Sequence, residues 1–333
     1  MATFVRTQTI DHTIGPTGRL TMKVTSGDVA VRGVPGGDAH VRANYEIRAA
    51  SEEEADRAFA EAQLRVERGE GHLTVQEPDD RSSLGVLVGK VLSGRGHVAL
   101  EFTVELPEQA ELRLDGVSAN VNVEQLRGEQ RYNSLSGDLS LTHVGGSVRV
   151  DSVSGDVTVR ADQPISIRAD GVSGDLSLVA PLIRALRANS VSGDIDIEGQ
   201  LATSAEYRVD TVSGDLSVGL LGGATFEVRG ISSDVVSDLD HRIEGRQDRR
   251  RVVVGAGGPD FIFNSMSGDL AIRRPRRLDR LVPRQPEAPS PPAPPAAEPV
   301  AAEEQLEILR ALERGEIDVE AATRRLSGTA SDE

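Results

Sequence analysis

"DSVSGDVTV" (residues 151–159) belongs to a series of closely similar segments that decide the fold. Its Ser-Gly-Asp unit recurs with the serine at positions 118, 136, 154, 173, 192, 213, 232 and 267. The unit is degenerate at 118 (SAN) and at 232 (SSD). Successive serines are 18 to 21 residues apart, except for a last step of 35 residues. One outlying copy, VTSGDVAVRG, lies at 24–33. Self-similarity at this period indicates a repeat architecture.

Within each repeat, apolar and polar residues alternate. Over residues 147–178 the apolar positions are Val148, Val150, Val153, Val157, Val159, Ile165, Ile167, Val172, Leu176 and Leu178. This period of two predicts short strands with one buried face. Because a two-stranded piece is only marginally stable, the copies must stack on one another. The pattern therefore predicts a mainly β protein, a β-solenoid (β-helix) of about eight rungs. A meandering antiparallel sandwich is the alternative.

The repeated Ser-Gly-Asp unit is interpreted as a corner of each rung. Its glycine tolerates a positive φ, and the serine and aspartate side chains can bond nearby backbone N–H groups. The predicted turn glycines are Gly27, Gly137, Gly155, Gly174, Gly193, Gly214 and Gly268. We expect no metal here, and the corner is the favoured interpretation.

The alternative for the same unit is a calcium column. It would use Asp138, Asp156, Asp175, Asp194 and Asp215. Calcium takes six to eight oxygen ligands, whereas each rung offers one carboxylate at this position. A second column, three residues before each serine, mixes aspartate with asparagine, which a dedicated cation site would not favour.

The residues before the regular repeats read as an α/β cap. Ser51 and Glu54 fit a helix capping box, and a hairpin is predicted around Gly69–Gly71. We assign 1–100 to this cap, including the first repeat, and 101–274 to the solenoid repeats. An arginine-rich insertion occupies 236–260.

The C-terminal residues contain no rung repeat. Residues 275–302 are rich in proline and alanine, which is typical of a linker. Residues 303–327 predict a helical hairpin, which is too small to be stable alone. We therefore expect it to bind a protein partner or a second copy of itself through Leu306, Leu309, Leu312 and Leu326.

Charge is distributed unevenly along the chain. The net charge is −16 overall, and residues 241–284 form a basic island of 11 arginines and 5 acidic residues. An acidic body repels phosphate backbones, so nucleic acid is not an expected partner. The arginines that could contact an anionic membrane are Arg249, Arg250, Arg251, Arg273, Arg274, Arg276 and Arg277.

Motifs for catalysis are lacking in the sequence. The chain has no cysteine, its six histidines are scattered, and no glycine-rich phosphate loop is present. We expect no enzymatic activity and no cofactor. The N-terminus lacks the apolar stretch of a signal peptide, so the expected location is the cytoplasm, including the inner face of the membrane.

The repeats resemble a known family. The Ser-Gly-Asp copies, TSGDVAV (25–31), VELP (104–107) and DGVSAN (115–120) are similar to the bacterial putative-adhesin β-strand-repeat family, a domain of unknown function. The tail LEILRALERGEIDVEAATRRL (306–326) resembles the SHOCT-like two-helix module. The resemblance implies a β-solenoid without known enzymatic chemistry. It also implies a link to cell-envelope stress, and oligomerisation or partner contact through the helices.

These observations lead to one functional hypothesis and one alternative. The hypothesis is a non-enzymatic β-solenoid scaffold whose C-terminal helices bind a partner or mediate self-association. The alternative is an exported, adhesin-like surface protein with calcium-stabilised turns.

Overall fold

The structure is a computed structural model that describes residues 2–78, 98–152, 154–171, 173–231, 233–246 and 249–276. Strands hold 71% of the chain that is described and helix holds 4%, which confirms the prediction of a mainly β protein. All of these residues lie in one compact unit, which ends at residue 282. Most of the predicted linker and the whole predicted helical hairpin (303–327) lie outside the described residues.

The N-terminal region combines strands with one helix. Its elements are β1 (Ala2–Thr13), β2 (Arg19–Val34), β3 (Asp38–Ala49), α1 (Glu52–Ala62), β4 (Arg65–Gly69), β5 (His72–Gln76) and β6 (Val98–Pro107). Ser51 caps α1, and its Oγ accepts the Glu54 N–H at 3.3 Å, as the sequence predicts. The Glu54 carboxylate accepts the N–H of Ala50, the residue before the N-cap, rather than that of Ser51 itself. β4 and β5 form the predicted hairpin.

β2 carries the outlying Ser-Gly-Asp copy and is a rung of the stack. One side of it pairs in parallel with β7 (Glu111–Glu124), placing Ser26 beside Ser118. Its other side pairs in parallel with β5 and β6. β6 pairs antiparallel with β3, which pairs antiparallel with β1. The N-terminal strands therefore cover a rung edge that would otherwise present unpaired backbone groups.

The following rungs stack in parallel, one repeat apart. Their strands are β8 (Gln130–Ser136), β9 (Leu139–Ser152), β10 (Val157–Gly171), β11 (Leu176–Ser192), β12 (Ile195–Leu201), β13 (Tyr207–Ser213) and β14 (Leu216–Leu220). Val157, for example, pairs with Leu139 on one side and with Leu176 on the other. Parallel pairing at this interval is the pairing of a β-solenoid, and an antiparallel meander cannot produce it.

Each rung contributes to two sheets. We call the runs before the corner sheet A and the runs after it sheet B. In the rung at 154, Val148 and Val150 point inward from sheet A, and Val157 and Val159 point inward from sheet B. All four side chains are buried in one continuous hydrophobic core. The outward positions of both sheets form columns that run along the stack.

The last two rungs are stacked in an order that differs from their order in the chain. Their elements are β15 (Ala224–Gly230), β16 (Val235–Ser237), β17 (His241–Arg246), β18 (Arg249–Val254), β19 (Asp260–Ser267) and β20 (Leu270–Arg273). β19 lies between β13 and β15, and β20 lies between β14 and β16. At this end the rungs are therefore not stacked in chain order.

Aromatic packing gives a physical reason for the exchanged order. The Phe261 ring of β19 stacks on Tyr207 of β13 at 5.8 Å and packs against Phe226 of β15 at 5.2 Å. Such contacts add to the burial of the rings themselves. The insertion forms the β17–β18 hairpin, and β18 pairs antiparallel with the outer edge of β15. The hairpin thus covers sheet A at this end, whereas β16 ends sheet B.

The corner glycines stack on one another. A Cβ atom on Gly155, Gly174 or Gly193 would lie 2.1–2.2 Å from the carbonyl oxygen of the glycine in the preceding rung. These three glycines also have φ of +117° to +119°. At Gly214 and Gly268 the φ is not positive, but the same close approach, at 2.2–2.3 Å, leaves no room for a side chain. Glycine is needed at the corner mainly because the rungs meet there without a gap.

Replacing one of these glycines should destabilise the stack. We expect Gly174→Ala to lower the free energy of unfolding by roughly 2 kcal/mol or more, from the positive φ and the contact with Gly155. Gly222→Ala is the matched control, since nothing lies within 4 Å of a Cβ at that position. Urea unfolding of both variants measures the difference. Equal stability of the two variants would show that the corner does not limit rung packing.

Candidate functional site

The corner aspartates form a hydrogen-bonded column. Each accepts, through Oδ1, the backbone N–H of the aspartate in the next rung, with N···O distances of 2.7–3.0 Å. The accepting residues are Asp138, Asp156, Asp175, Asp194, Asp215 and Asp269. The residue after each of these aspartates donates its own N–H to a carbonyl of the neighbouring rung's aspartate. Side chain and backbone therefore both join every pair of rungs at the corner.

Asparagine replaces aspartate at one position of this column. Asn120 Oδ1 accepts the Asp138 N–H at 3.2 Å, and its Nδ2 donates to Asp28 Oδ1 at 3.1 Å. Only the acceptor oxygen, and not the negative charge, is needed for the contact to Asp138. The degenerate SAN copy thus keeps the column continuous with the first rung.

The aspartates considered as a calcium column from the sequence instead accept backbone hydrogen bonds from the next rung. One oxygen of each carboxylate is occupied by an N–H group, which leaves fewer lone pairs for a cation that needs six to eight oxygens. Within the described ranges, no group of three or more His, Asp or Glu residues is placed to hold a metal ion.

Two further columns lie side by side on sheet A. The sequence analysis identified the mixed Asp/Asn column but not the arginine column beside it. Six arginines stand in register on six consecutive rungs: Arg113, Arg131, Arg149, Arg168, Arg187 and Arg208. Two residues further along each strand lies the mixed column, in which each asparagine amide donates to an aspartate of the preceding rung, as Asn264 does to Asp210. The two-residue spacing between arginine and Asp or Asn, repeated in six copies from 113 to 210, is the signal that identifies the pair.

Arginines and asparagines lower the pKa of two aspartates in this column. Partial burial alone would raise the pKa of Asp170, but hydrogen bonds from Asn189 and Arg168 outweigh it and lower the pKa. Asp210 is lowered in the same way by Arg208 and Asn264, again against the effect of burial. Over these six rungs the two columns hold six arginines and four aspartates, so the lattice of hydrogen-bonded charges keeps a small positive excess.

The arginines predicted to contact an anionic surface lie in two separate places. Arg249, Arg250 and Arg251 are on β18, which extends sheet A, whereas Arg273 ends β20 in sheet B. Arg249 bonds Glu227, and Arg250 donates to the Ser233 carbonyl. Arg274 and Arg276 follow β20 and are exposed, and Arg277 lies outside the described residues. The structure does not join the two groups into one patch.

The β18 arginines line a shallow cleft of about 530 Å³. Its charged lining consists of Arg249, Arg250, Arg251, Glu227, Glu244 and Asp260. Three residues of each sign leave no net charge to attract an anion. The described part of the chain also holds no helix long and apolar enough to cross a bilayer.

An exposed apolar ridge runs along the corner, and sequence reasoning missed it. Val191, Val212, Met266 and Ile231 precede the corner serine position in four consecutive rungs and are 48%, 43%, 55% and 78% exposed. The alternating pattern predicts this column to be buried, as for Val153 and Val172, which lie outside the described residues. Where the column is described at these four rungs, the prediction is wrong, because the chain turns at the corner and strand alternation stops there. An apolar residue before every complete Ser-Gly-Asp unit in 118–267 is the available signal.

Stacked parallel rungs with glycine-packed corners define the chain as a β-solenoid repeat protein. The sequence pattern of the Toastrack DUF4097 family matches residues 20–203, more than half of the chain, and the chain belongs to this family. No curated protein matches it.

Several solved structures match this chain at low identity and low TM-score. A putative adhesin of Bacteroides fragilis NCTC 9343 is 12% identical, with a TM-score of 0.41, over 81% of this chain and 97% of that protein. A putative cell adhesion protein of Clostridium sporogenes ATCC 15579 is 10% identical, with a TM-score of 0.22, over 81% and 100%. A putative lipid binding protein of Parabacteroides distasonis ATCC 8503 is 10% identical, with a TM-score of 0.25, over 81% and 97%. These values do not transfer a binding activity to this chain.

Stability should depend on the charge of the sheet A aspartates. A folded-state pKa below the unfolded value stabilises the protein above the unfolded pKa, about 3.9, and the stabilisation is lost as pH falls through the folded pKa. We expect Asp170→Asn with Asp210→Asn to lower the melting temperature at pH 7 and to cost progressively less below about pH 4. Thermal unfolding between pH 3 and 7 tests this. A difference from wild type that is constant over the whole range would contradict the assigned ion pairs.

Proposed function

We propose that this protein is a non-enzymatic β-solenoid scaffold that binds a protein partner along the apolar ridge of its corner. Its location is the cytoplasm or the inner face of the cell membrane. Residues 303–327 supply a second contact, to a partner or to another copy of the chain. A role in the response to cell-envelope stress follows from the resemblance of the repeats and tail.

The exposed ridge is the observation that carries this proposal. Its four side chains follow one another at the rung spacing of about 4.8 Å, so they form a line roughly 14 Å long. Contiguous exposed apolar side chains, rimmed by polar ones, are a mark of interaction sites. Beside the line run the corner carboxylates of Asp194, Asp215, Asp269 and Asp234. A segment with apolar side chains flanked by lysine or arginine fits this surface in both shape and charge.

Contact with an anionic membrane is a further part of the proposal. It rests on exposed arginines that lie outside the cleft without net charge, such as Arg246 of β17 and Arg274 after β20. Contacts of this kind weaken with salt, which separates them from burial of the apolar ridge.

The proposal is tested by removing the ridge without changing the fold. The ridge variant combines Val191→Ser, Val212→Ser and Met266→Ser. The control variant combines Val5→Ser, Leu221→Ser and Ile243→Ser, at side chains that are 57%, 54% and 45% exposed elsewhere on the protein. Both are made in the full chain, and melting temperatures verify folding.

We expect quantitative affinity purification to show partners that are retained by wild type and control but lost from the ridge variant. A matching pair without residues 285–333 assigns each partner to the ridge or to the tail. Identical partner sets for ridge and control variants would contradict the proposed role of the ridge. Tail deletion without effect on partners or oligomeric state would contradict the role of the helices.

A further inference from the structure

Sheet A finishes in an open strand edge at its C-terminal end. β18 pairs antiparallel with β15 on one side and with β17 on the other. β17 pairs with no further strand in the part of the chain that the structure describes, and all six of its residues are exposed. An open edge presents unpaired N–H and C=O groups, to which another strand can add.

Alternation along the ladder identifies the backbone groups that face outward. In an antiparallel pair, every second residue exchanges hydrogen bonds with a given neighbouring strand. The Gly255 N–H donates to the carbonyl of Asp240, the residue directly before β17, at 2.9 Å. Even-numbered residues from 240 to 246 therefore bond β18, and the odd-numbered residues direct their N–H and C=O groups to the open edge: His241, Ile243 and Gly245.

The two faces of β17 carry different side chains. Ile243 pairs with Val252, which is fully buried, so Ile243 lies on the core side of sheet A. Nevertheless, 45% of Ile243 is exposed, because β17 extends beyond the last rung. Charged side chains occupy the outer side, where Arg242 Nε donates to Glu244 Oε1 at 2.7 Å. The open edge thus combines an exposed apolar side chain with charges of both signs.

The charges of this strand complement a second copy of the same strand. Two copies of β17 that pair antiparallel about a two-fold axis at Ile243 place Arg242 opposite Glu244 of the second copy. They also place Asp240 opposite Arg246. Each contact occurs twice about the axis, and opposite charges across a sheet stabilise the pairing. Ile243 then lies beside its own copy on the core side.

Neighbouring registers oppose like charges. An axis at Arg242 sets Arg242 opposite its own copy and Asp240 opposite Glu244. An axis at Glu244 sets Glu244 opposite its own copy and Arg242 opposite Arg246. Like charges directly opposite each other are destabilising in a sheet. Charges on an edge strand commonly prevent pairing, whereas these charges select one register of it.

The end of the solenoid has room for this contact. A two-fold axis perpendicular to the sheet keeps the core sides of both copies on the same side. From β15 of one copy to β15 of the other there are five strand spacings, roughly 24 Å. The sheet B strands, which end at β16, therefore stay apart while sheet A becomes continuous.

We propose that two copies of this protein join end to end through β17, so that one sheet A runs through both solenoids. Backbone hydrogen bonds at His241, Ile243 and Gly245 provide the contact, and the opposite charges fix its register. Six residues from each copy make a small interface, so we expect a weak, concentration-dependent dimer. This contact is separate from the corner ridge and from the C-terminal helices, so each can fail without the others.

Disulfide formation between copies tests the contact, since the chain has no cysteine. In the full chain, Ile243→Cys places two thiols opposite each other across the axis, where Cα atoms about 5.5 Å apart permit a disulfide. Leu221→Cys is the control, because Leu221 is 54% exposed and lies outside the strands. Under a mild oxidant we expect interchain disulfides about tenfold faster or more for Ile243→Cys. Equal rates would overturn the end-to-end contact, even if the C-terminal helices join two chains.

Charge exchange in the Ile243→Cys chain tests the register. Arg242→Glu alone and Glu244→Arg alone each set like charges opposite each other, so each should slow the disulfide. An equimolar mixture of the two variants should restore the rate, as should both substitutions in one chain. Both single variants lose the same intrachain ion pair, so a merely structural effect would not be reversed by mixing. A rate that neither variant slows, or a mixture that stays slow, would overturn the proposed register.

Discussion

The structure depends on how closely consecutive rungs meet at the Ser-Gly-Asp corner. A glycine without a side chain lets its neighbour's carbonyl approach, and the aspartate then reaches the N–H group of the next rung. The two residues act together, because the hydrogen bond needs the short distance that glycine allows. A column of carboxylates about 4.8 Å apart would otherwise repel, and each N–H dipole offsets part of that repulsion.

A corner fixed in this way leaves the outward positions free to differ from rung to rung. Arginine with Asp or Asn forms a largely compensated lattice on sheet A, so that surface is stabilised without becoming strongly charged. The residue before the corner serine contributes little to the core and forms an exposed apolar line instead. The proposed function therefore falls on side chains that the stacking does not require, those of the ridge.

Periodicity alone was enough to predict the parallel rungs, because alternation and an 18–21-residue repeat leave few other ways to bury the apolar face. Periodicity could not predict that the last two rungs are stacked out of chain order. Their order is favoured by the packing of the Phe261 ring between Tyr207 and Phe226, which the repeat pattern does not show. Periodicity also misassigned the corner column, because Val191 and Val212 each lie one residue before the end of their strand, where alternation no longer applies. The calcium alternative arose because sequence shows carboxylates but not the N–H groups that they meet.

Residue-resolved amide hydrogen exchange tests the central contact most directly. Asp156 Oδ1 accepts the Asp175 N–H at 2.9 Å, while the Leu176 N–H bonds a backbone carbonyl. In Asp156→Ala the Asp175 amide should exchange faster while the Leu176 amide stays protected, and Asp156→Asn should preserve protection at both. If the Asp175 amide exchanges at the same rate in wild type, Asp156→Ala and Asp156→Asn, the side-chain contact does not fasten the rungs.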